Sequence, residues 1–178
     1  MTIDDIQNGD ILMFYPSGIL GKLVAFITGS QYCHCGIVEH VDDGFFLKDF
    51  LTFGGYRYMR VEEAVVKWGV NPDVFRLIDH DTVDVHAAVA AMKSLQSAKS
   101  YGWYHAIWIG LLKWTPKWMF QYECNWKYHA PHCSEAVNWS FRTGAGIDLV
   151  KDIPDWRTSP GDIARSEMLY SVGTLDCQ

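Results

Sequence analysis

A cysteine that could act as a nucleophile, Cys133, lies in the stretch HAPHCSEAV (residues 129–137), between a proline-containing turn and a predicted helix. A thiol at a helix N-terminus experiences the positive end of the helix dipole, which lowers its pKa and increases the fraction of reactive thiolate. The backbone N–H groups at that end can also stabilise an oxyanion. Helical spacing places Cys133 on the same face as Ala136 and Val137, towards the core. Taken alone, this pattern is more typical of a structural cysteine than of a nucleophile.

A nucleophilic cysteine needs a general base, and the chain contains seven histidines. His34 lies in a predicted strand between two cysteines, beside Gly36, where the missing side chain is expected to leave space over the sheet. His132 adjoins Cys133, but neighbouring side chains at a helix N-terminus point in different directions, which makes His132 a poor base. A lone histidine on a buried strand is most often a core residue, so the residues alone leave the base open.

A zinc site is an alternative, with Cys33, Cys35 and the pair His132–Cys133 as candidate ligands. Cys33 and Cys35 are two residues apart on a predicted strand, so their side chains share one face while His34 takes the other. Structural zinc sites instead prefer two cysteines that flank a turn. We therefore expect no metal and no other cofactor.

The elements that must position these side chains are typical of an α+β chain. Composition and alternation predict five strands: GDILMFY, YCHCGIVEHV, FFLKDF, YRYMRV and PDVFRLI. The turn Asp42-Asp43-Gly44 joins the second strand to the third as a hairpin. A short helix, EEAVVKW, separates the last two strands.

Three longer helices are predicted from apolar residues at a spacing of 3.6. In SGILGKLVAFITGS, with Ser17 as the N-cap, the apolar face consists of Leu20, Leu23, Val24 and Ile27. In DTVDVHAAVAAMKSLQS, the apolar residues are Val85, Val89 and Met92. The third helix begins near Cys133 and is expected to end at Gly144.

Composition and charge exclude several classes of protein. A chain of 178 residues without a linker is expected to form a single domain over residues 1–178. The net charge of −6 argues against a nucleic-acid partner. No apolar run approaches the roughly 18 residues of a membrane-spanning helix, and MTIDDIQNGD lacks the pattern of a secretory signal. A cytoplasmic location with reduced cysteines is therefore expected.

One segment differs from the rest in its aromatic content. Ten of the 28 residues in 101–128 are aromatic, and they include five of the eight tryptophans. These rings are expected either to pack as an irregular layer on the core or to form an apolar groove or lid over a site. A groove of this kind could also contact a membrane surface.

In this order, the motifs resemble the circularly permuted NlpC-like cysteine peptidases, the YiiX-type branch of the papain-like superfamily. The stretch from NGDILMFY to YCHCGIVE resembles the opening of that family, with the pattern Ser30, His34, Gly36, Ile37 and Val38. HCSEAV resembles the family's nucleophile signature, YGWYHA its tyrosine-containing helix start, and GAGIDLV…TSPGDIARSEMLYSV its C-terminal stretch. The histidine motif precedes the cysteine motif, which reverses the order in ordinary papain-like enzymes.

The resemblance implies a permuted papain-like fold, in which a small antiparallel sheet or half-barrel packs against the helix that bears the nucleophile. It makes Cys133 the nucleophile and His34 the general base. In the family, a third polar residue on the next strand orients the histidine, and the aligned position falls on Lys48 or Asp49. A carboxylate can accept the imidazole N–H whereas an ammonium group cannot, so we choose Asp49, with Glu39 as an alternative.

The resemblance also implies an activity, namely hydrolysis of an amide bond in a cell-wall (peptidoglycan) peptide through a thioester intermediate. A phage-encoded lysis or tail component, or a cytosolic recycling enzyme, would fit the absence of a signal sequence. The alternatives are acyl transfer or ester hydrolysis on lipids, as in lecithin retinol acyltransferase relatives, and a binding module without turnover. The aromatic insertion at about 113–128 has no counterpart in the family, so we expect it to determine substrate specificity.

Overall fold

A six-stranded antiparallel sheet organises the computed structural model, which describes residues 1–51, 54–97 and 131–177. The strands are β1 (Ile11–Phe14), β2 (His34–Val41), β3 (Gly44–Leu51), β4 (Gly55–Arg60), β5 (Asp73–Leu77) and β6 (Leu169–Thr174). Their order in the sheet is β4-β3-β2-β1-β5-β6. Five of these strands were predicted from the sequence, whereas β6 was not.

Within the described residues, five α-helices accompany the sheet: α1 (Gly18–Thr28), α2 (Val61–Trp68), α3 (Val85–Ser94), α4 (Cys133–Ser140) and α5 (Pro160–Ala164). Short 3-10 turns occupy Ile3–Asp5, Leu95–Ser97 and Asp155–Arg157. The protein is therefore α+β, as the sequence predicts. In the part of the chain that the structure describes, no helix is both long and apolar enough to cross a bilayer. The predictions for the YGWYHA motif and for the aromatic insertion at 113–128 lie outside the described residues.

The core is divided between two apolar clusters, because successive side chains of a strand point to opposite faces of the sheet. One cluster joins Cys35 and Ile37 of β2 to α3 and to Ala136 and Val137 of α4. The other joins β1, β2 and β3 to α2. Val85, Val89 and Met92 of α3 are buried, which confirms the apolar face predicted for that helix.

Gly36 is where the β2–β3 hairpin closes most tightly. It pairs with Asp49, and a Cβ placed at residue 36 would lie 2.7 Å from the Leu47 side chain and 2.8 Å from Asp49 Cβ. The expectation of open space over Gly36 is therefore wrong, because side chains of β3 already fill it. Glycine here permits a close strand approach and brings the Asp49 backbone towards β2.

The packing of α1 differs from the sequence prediction. Leu20 and Leu23, which were expected to face the core, are exposed, whereas the buried residues of α1 are Ala25 and Thr28. The prediction failed because α1 is apolar on nearly every side, so periodicity cannot determine which side packs. The packed side carries small residues, and a Cβ at Gly21 would lie 3.3 Å from the Cys33 sulfur.

The end of α4 also differs from the prediction. A π-helical turn, Phe141–Ala145, follows the α-helix, and the left-handed cap is Gly146, with φ 71°, rather than Gly144. A Cβ at Gly144 would collide with the backbone of Ala87 in α3. Gly144 is therefore a contact glycine between two helices, and the chain turns two residues later.

Candidate active site

Cys133 is held in place by an unusual helix cap. The residue before it, His132, is the N-cap of α4, and its Nδ1 accepts a hydrogen bond of 3.0 Å from the Glu135 backbone N–H. The Glu135 carboxylate in turn accepts the His132 backbone N–H at 3.2 Å. The other ring nitrogen of His132 lies 3.1 Å from the Trp156 carbonyl oxygen. Both ring nitrogens are thus engaged in fixing the helix start, which is consistent with the expectation that His132 is a poor base.

Cys133 is the first residue of α4, and its side chain is partly buried. Its neighbours on the helix, Ala136 and Val137, are completely buried, so the thiol points inward, as predicted from the spacing. Because Cys133 lies in the first turn, its backbone N–H has no acceptor within the helix. This N–H can therefore donate to a negative oxygen that forms beside the sulfur.

His34 and Asp49 form a buried pair across β2 and β3. The Nε2 atom of His34 lies 2.8 Å from Asp49 Oδ2, and both side chains are almost completely buried. Since Nε2 is bound to Asp49, Nδ1 is the ring nitrogen left for the hydrogen bond to the Cys133 sulfur. The structure thus brings together the three residues that the sequence nominated.

Arg57 is a fourth charged residue, next to Asp49 in the line Cys133–His34–Asp49, and the sequence analysis missed it. It pairs with Asp49 in the β3–β4 register. Its Nε donates to Asp49 Oδ1 at 2.9 Å, and its Nη2 donates to Oδ2. This bidentate contact fixes the plane of the carboxylate that holds His34. The signal was one of two arginines in YRYMRV, but selecting it requires the register of the hairpin.

Trp68, the last residue of α2, also contacts the site and was missed. Its ring stacks on the His34 imidazole, with 4.7 Å between centroids and 23° between planes. Phe14 stacks on the same indole at 5.3 Å. The two aromatic rings limit the positions that the imidazole can adopt, and the indole face favours a cationic imidazolium.

The two alternatives for the third residue lie elsewhere. Lys48 Nζ donates to Glu39 Oε1 at 2.7 Å and to the Val89 carbonyl oxygen of α3 at 3.2 Å. These residues form an ion pair with each other on the side of the sheet that packs against α3. Among the three candidates, it is the Asp49 carboxylate that binds His34.

Charges around the thiol favour its ionised form. A hydrogen bond from the Cys35 thiol, together with the positive charge of His34, outweighs burial and lowers the pKa of Cys133 well below its usual range. Burial lowers the pKa of His34, but the negative charges of Asp49 and Cys133 and the hydrogen bonds to both raise it to about 9. At pH values between the lowered pKa of Cys133 and the raised pKa of His34, the pair consists of a thiolate and an imidazolium.

The other members of the site support this charge state. Burial raises the pKa of the Asp49 carboxyl, but the charges and hydrogen bonds of His34 and Arg57 outweigh burial. The pKa of Asp49 is therefore below its usual value, and the carboxyl stays ionised. Burial raises the pKa of Cys35 well above its usual range. Burial and the charge of Cys133 raise the pKa of Cys33 to about 11. Of these three thiols, Cys133 is therefore the one whose ionised form is favoured.

Comparisons with known proteins define the fold of this chain. No family model matches the chain, and no curated protein matches it. The crystal structure of metalloprotein yiiX from Escherichia coli O157:H7 is similar, with a TM-score of 0.68 and 15% sequence identity. The match covers 97% of this chain and 98% of that chain. The fold is thus YiiX-like, while the chemistry has to be argued from the residues of the site.

The similar protein yiiX is named a metalloprotein. In residues 1–51, 54–97 and 131–177, no group of three or more His, Cys, Asp or Glu side chains could hold a metal ion. The set drawn from Cys33, Cys35 and His132–Cys133 is therefore no such group. Nδ1 of His132 caps α4 instead, and Nε2 lies 3.1 Å from the Trp156 carbonyl oxygen.

Proposed function

We propose that this protein is a cysteine hydrolase in which Cys133 attacks a carbonyl carbon. The observation that carries the proposal is the row Cys133–His34–Asp49, which starts at a helix N-terminus and alternates in charge. Cysteine nucleophiles are activated by such a neighbouring histidine that a third group orients. The order of the motifs along the chain, histidine first, supports a permuted papain-like enzyme.

Acylation uses the charge state of the resting site. The Cys133 thiolate forms a C–S bond to the substrate carbonyl, and the electron pair of the C=O bond moves onto oxygen. The Cys133 backbone N–H donates to that oxyanion. The His34 imidazolium then gives its Nδ1 proton to the leaving nitrogen, the C–N bond breaks, and a thioester remains.

Deacylation reverses the role of His34. The neutral imidazole accepts a proton from water as the water oxygen attacks the thioester carbonyl. The C–S bond breaks, the acid is released, and the thiolate–imidazolium pair is restored. Asp49 remains ionised throughout, because its two partners stabilise the carboxylate, and it keeps the His34 ring in position.

An amide bond in a cell-wall peptide is the proposed substrate, and the resemblance of the motifs supports this class. The test is the release of soluble peptides from purified peptidoglycan by the wild-type protein, followed by mass spectrometry. Cys133→Ala should abolish release, whereas Cys177→Ala, which removes a cysteine outside the site, should retain it. Release by the Cys133→Ala variant at the wild-type rate would refute the role of the thiol.

Hydrolysis of lipid acyl esters is a second candidate, and one observation favours it. The outer side of α1 presents large apolar side chains, and its inner side contacts Cys33, which interacts with Cys133. The same thiol chemistry would apply, with an alcohol rather than an amine as the leaving group. Activity on acyl esters in vesicles, with none on peptidoglycan, would favour this candidate. No turnover of either class by protein with an intact Cys133 thiol would contradict a hydrolase and indicate a binding module.

A further inference from the structure

The outer side of α1 is the most apolar exposed surface among the described residues. Four large side chains of this 11-residue helix are exposed: Ile19 (90%), Leu20 (55%), Leu23 (46%) and Phe26 (83%). At 100° per residue they fall within about a third of the helix circumference. The other exposed large hydrophobic residues of the described chain are scattered over α2, β4, β6 and the end of β5.

The opposite side of α1 is already in use. It carries the buried residues Ala25 and Thr28, together with Gly21, whose Cβ would touch Pro16 and the Cys33 sulfur at 3.3 Å. The exposed apolar side is therefore additional to the side that packs on the protein. A helix that is apolar all round is normally covered on every side. Contiguous apolar patches of this kind usually mark an interaction surface.

The charges along the α1 segment of the sequence favour a lipid surface as the partner. Between Ile11 and Val38, the sequence contains no carboxylate, although the chain has 21 acidic residues and a net charge of −6. The one lysine in this stretch, Lys22, lies three residues after Ile19 and four before Phe26, at the flank of the apolar side. A lysine in that position can place its ammonium group among lipid headgroups while its stem follows the apolar surface.

The size of the surface argues against a second copy of the chain as the partner. Eleven helical residues span about 16 Å, and a helix is about 10 Å wide, so the footprint is on the order of 160 Å². A stable protein–protein interface covers about 800 Å² on each partner. Four insertable side chains are too few for such a dimer, but they are a sufficient anchor in the interfacial region of a bilayer.

We propose that α1 docks by its outer side onto a phospholipid surface, with Ile19 and Phe26 inserted and Lys22 at the level of the headgroups. The inner side of α1 contacts Cys33, and the Cys33 thiol lies close enough to Cys133 to feel its charge, so the site is separated from the lipid by about one helix diameter. The docking does not depend on hydrolysis. It can therefore hold or fail independently of the proposed catalytic row.

Co-sedimentation with vesicles tests the proposal, using phosphatidylcholine alone and phosphatidylcholine mixed with phosphatidylglycerol. Wild-type protein and Cys133→Ala should bind both. The double variant Ile19→Ser/Phe26→Ser should bind at least about tenfold more weakly to both, because each insertion buries a large apolar side chain. Lys22→Glu should weaken binding about fivefold or more on the anionic vesicles, with a smaller effect on the neutral ones.

A matched control separates insertion from general stickiness. Val66→Ser removes an apolar side chain that is 81% exposed on α2, and it should leave vesicle binding unchanged. Since the substituted α1 residues are largely exposed, the melting temperature of the double variant should stay within a few degrees of the wild type. Absence of wild-type binding, or equal binding by the double variant, would overturn the proposal. So would a concentration-dependent dimer that the double variant abolishes, because the surface would then serve a second copy.

Discussion

Asp49 and Lys48 are neighbours on β3, and both are almost completely buried, yet they belong to different parts of the molecule. Asp49 faces His34 and accepts a bidentate contact from Arg57. Lys48 faces the opposite side of the sheet and donates to Glu39 and to a backbone carbonyl of α3. Each side chain has a partner of opposite charge, as buried charges require.

The difference between these two ion pairs shows that burial and pairing alone do not mark a functional residue. The row that contains Asp49 continues through His34 to a partly buried thiol, where a substrate can react. The row that contains Lys48 ends at the backbone carbonyl oxygen of Val89, which is neither a nucleophile nor a general base. We therefore propose that the first row serves catalysis and that the second contributes to stability, and substitutions can test this division.

The largest expected effect comes from His34→Ala. Without the imidazole, the proposed hydrolase loses both the charge that stabilises the thiolate and the group that moves the proton, so kcat/KM should fall by about 10³-fold or more. Hydrolysis of the preferred substrate should be compared with that of Glu39→Gln, which changes a carboxylate in the other row. A similar loss in both variants would remove the distinction between the two rows.

Asp49→Asn should have the next largest effect, with a loss of about 10²-fold in kcat/KM. The substitution removes the negative charge that raises the pKa of the His34 imidazole, and it leaves the positive charge of Arg57 without its partner. Both effects lower the pKa of His34 from about 9. The His34 imidazolium then exists over a narrower range of pH. The alkaline limit of the pH profile should therefore move to lower pH. A variant profile that overlays the wild-type profile would show that Asp49 does not act on His34.

Lys48→Met should change stability without changing the reaction. It leaves the Glu39 carboxylate without its partner, so the free energy of unfolding should fall by about 2 kcal/mol. The double variant Lys48→Met/Glu39→Gln should recover part of this loss. Urea denaturation measures stability, and kcat/KM should remain within about twofold of the wild type. A tenfold loss of activity with an unchanged pH profile would place Lys48 in the catalytic row.

Much of the site could be predicted because the motifs and their order resemble a known family, whereas the residues alone left both the nucleophile and the base open. Strand alternation separated His34 from its neighbouring cysteines, and the need for an acceptor favoured Asp49 over Lys48 before any contact was known. Arg57 and Trp68 were missed because they reach His34 only through the register of β4 and the packing of α2. No spacing within the sequence encodes those distances.

The fold shows the same division between local and long-range information. α3 has a single apolar side, so periodicity predicted its buried residues correctly. α1 is apolar on both sides, so periodicity does not select the side that packs, which is the side with Gly21, Ala25 and Thr28. β6 pairs with β5 across nearly a hundred residues, and its sequence LYSVGT does not alternate regularly between apolar and polar residues. Such a strand is specified by its partner more than by its own pattern.

The central claim, that Cys133 is a thiolate paired with the His34 imidazolium, is tested most directly by alkylation with iodoacetamide. The rate at Cys133 is measured across pH by mass spectrometry of peptides, with Cys177 as the internal reference, since burial raises the pKa of that thiol. If Cys133 is a thiolate, we expect it to react with iodoacetamide at about pH 6 nearly as fast as at neutral pH. At both pH values it should react at least about tenfold faster than Cys177. A rate at Cys133 that rises only near the ordinary thiol pKa of about 8.5, in parallel with Cys177, would contradict the central claim.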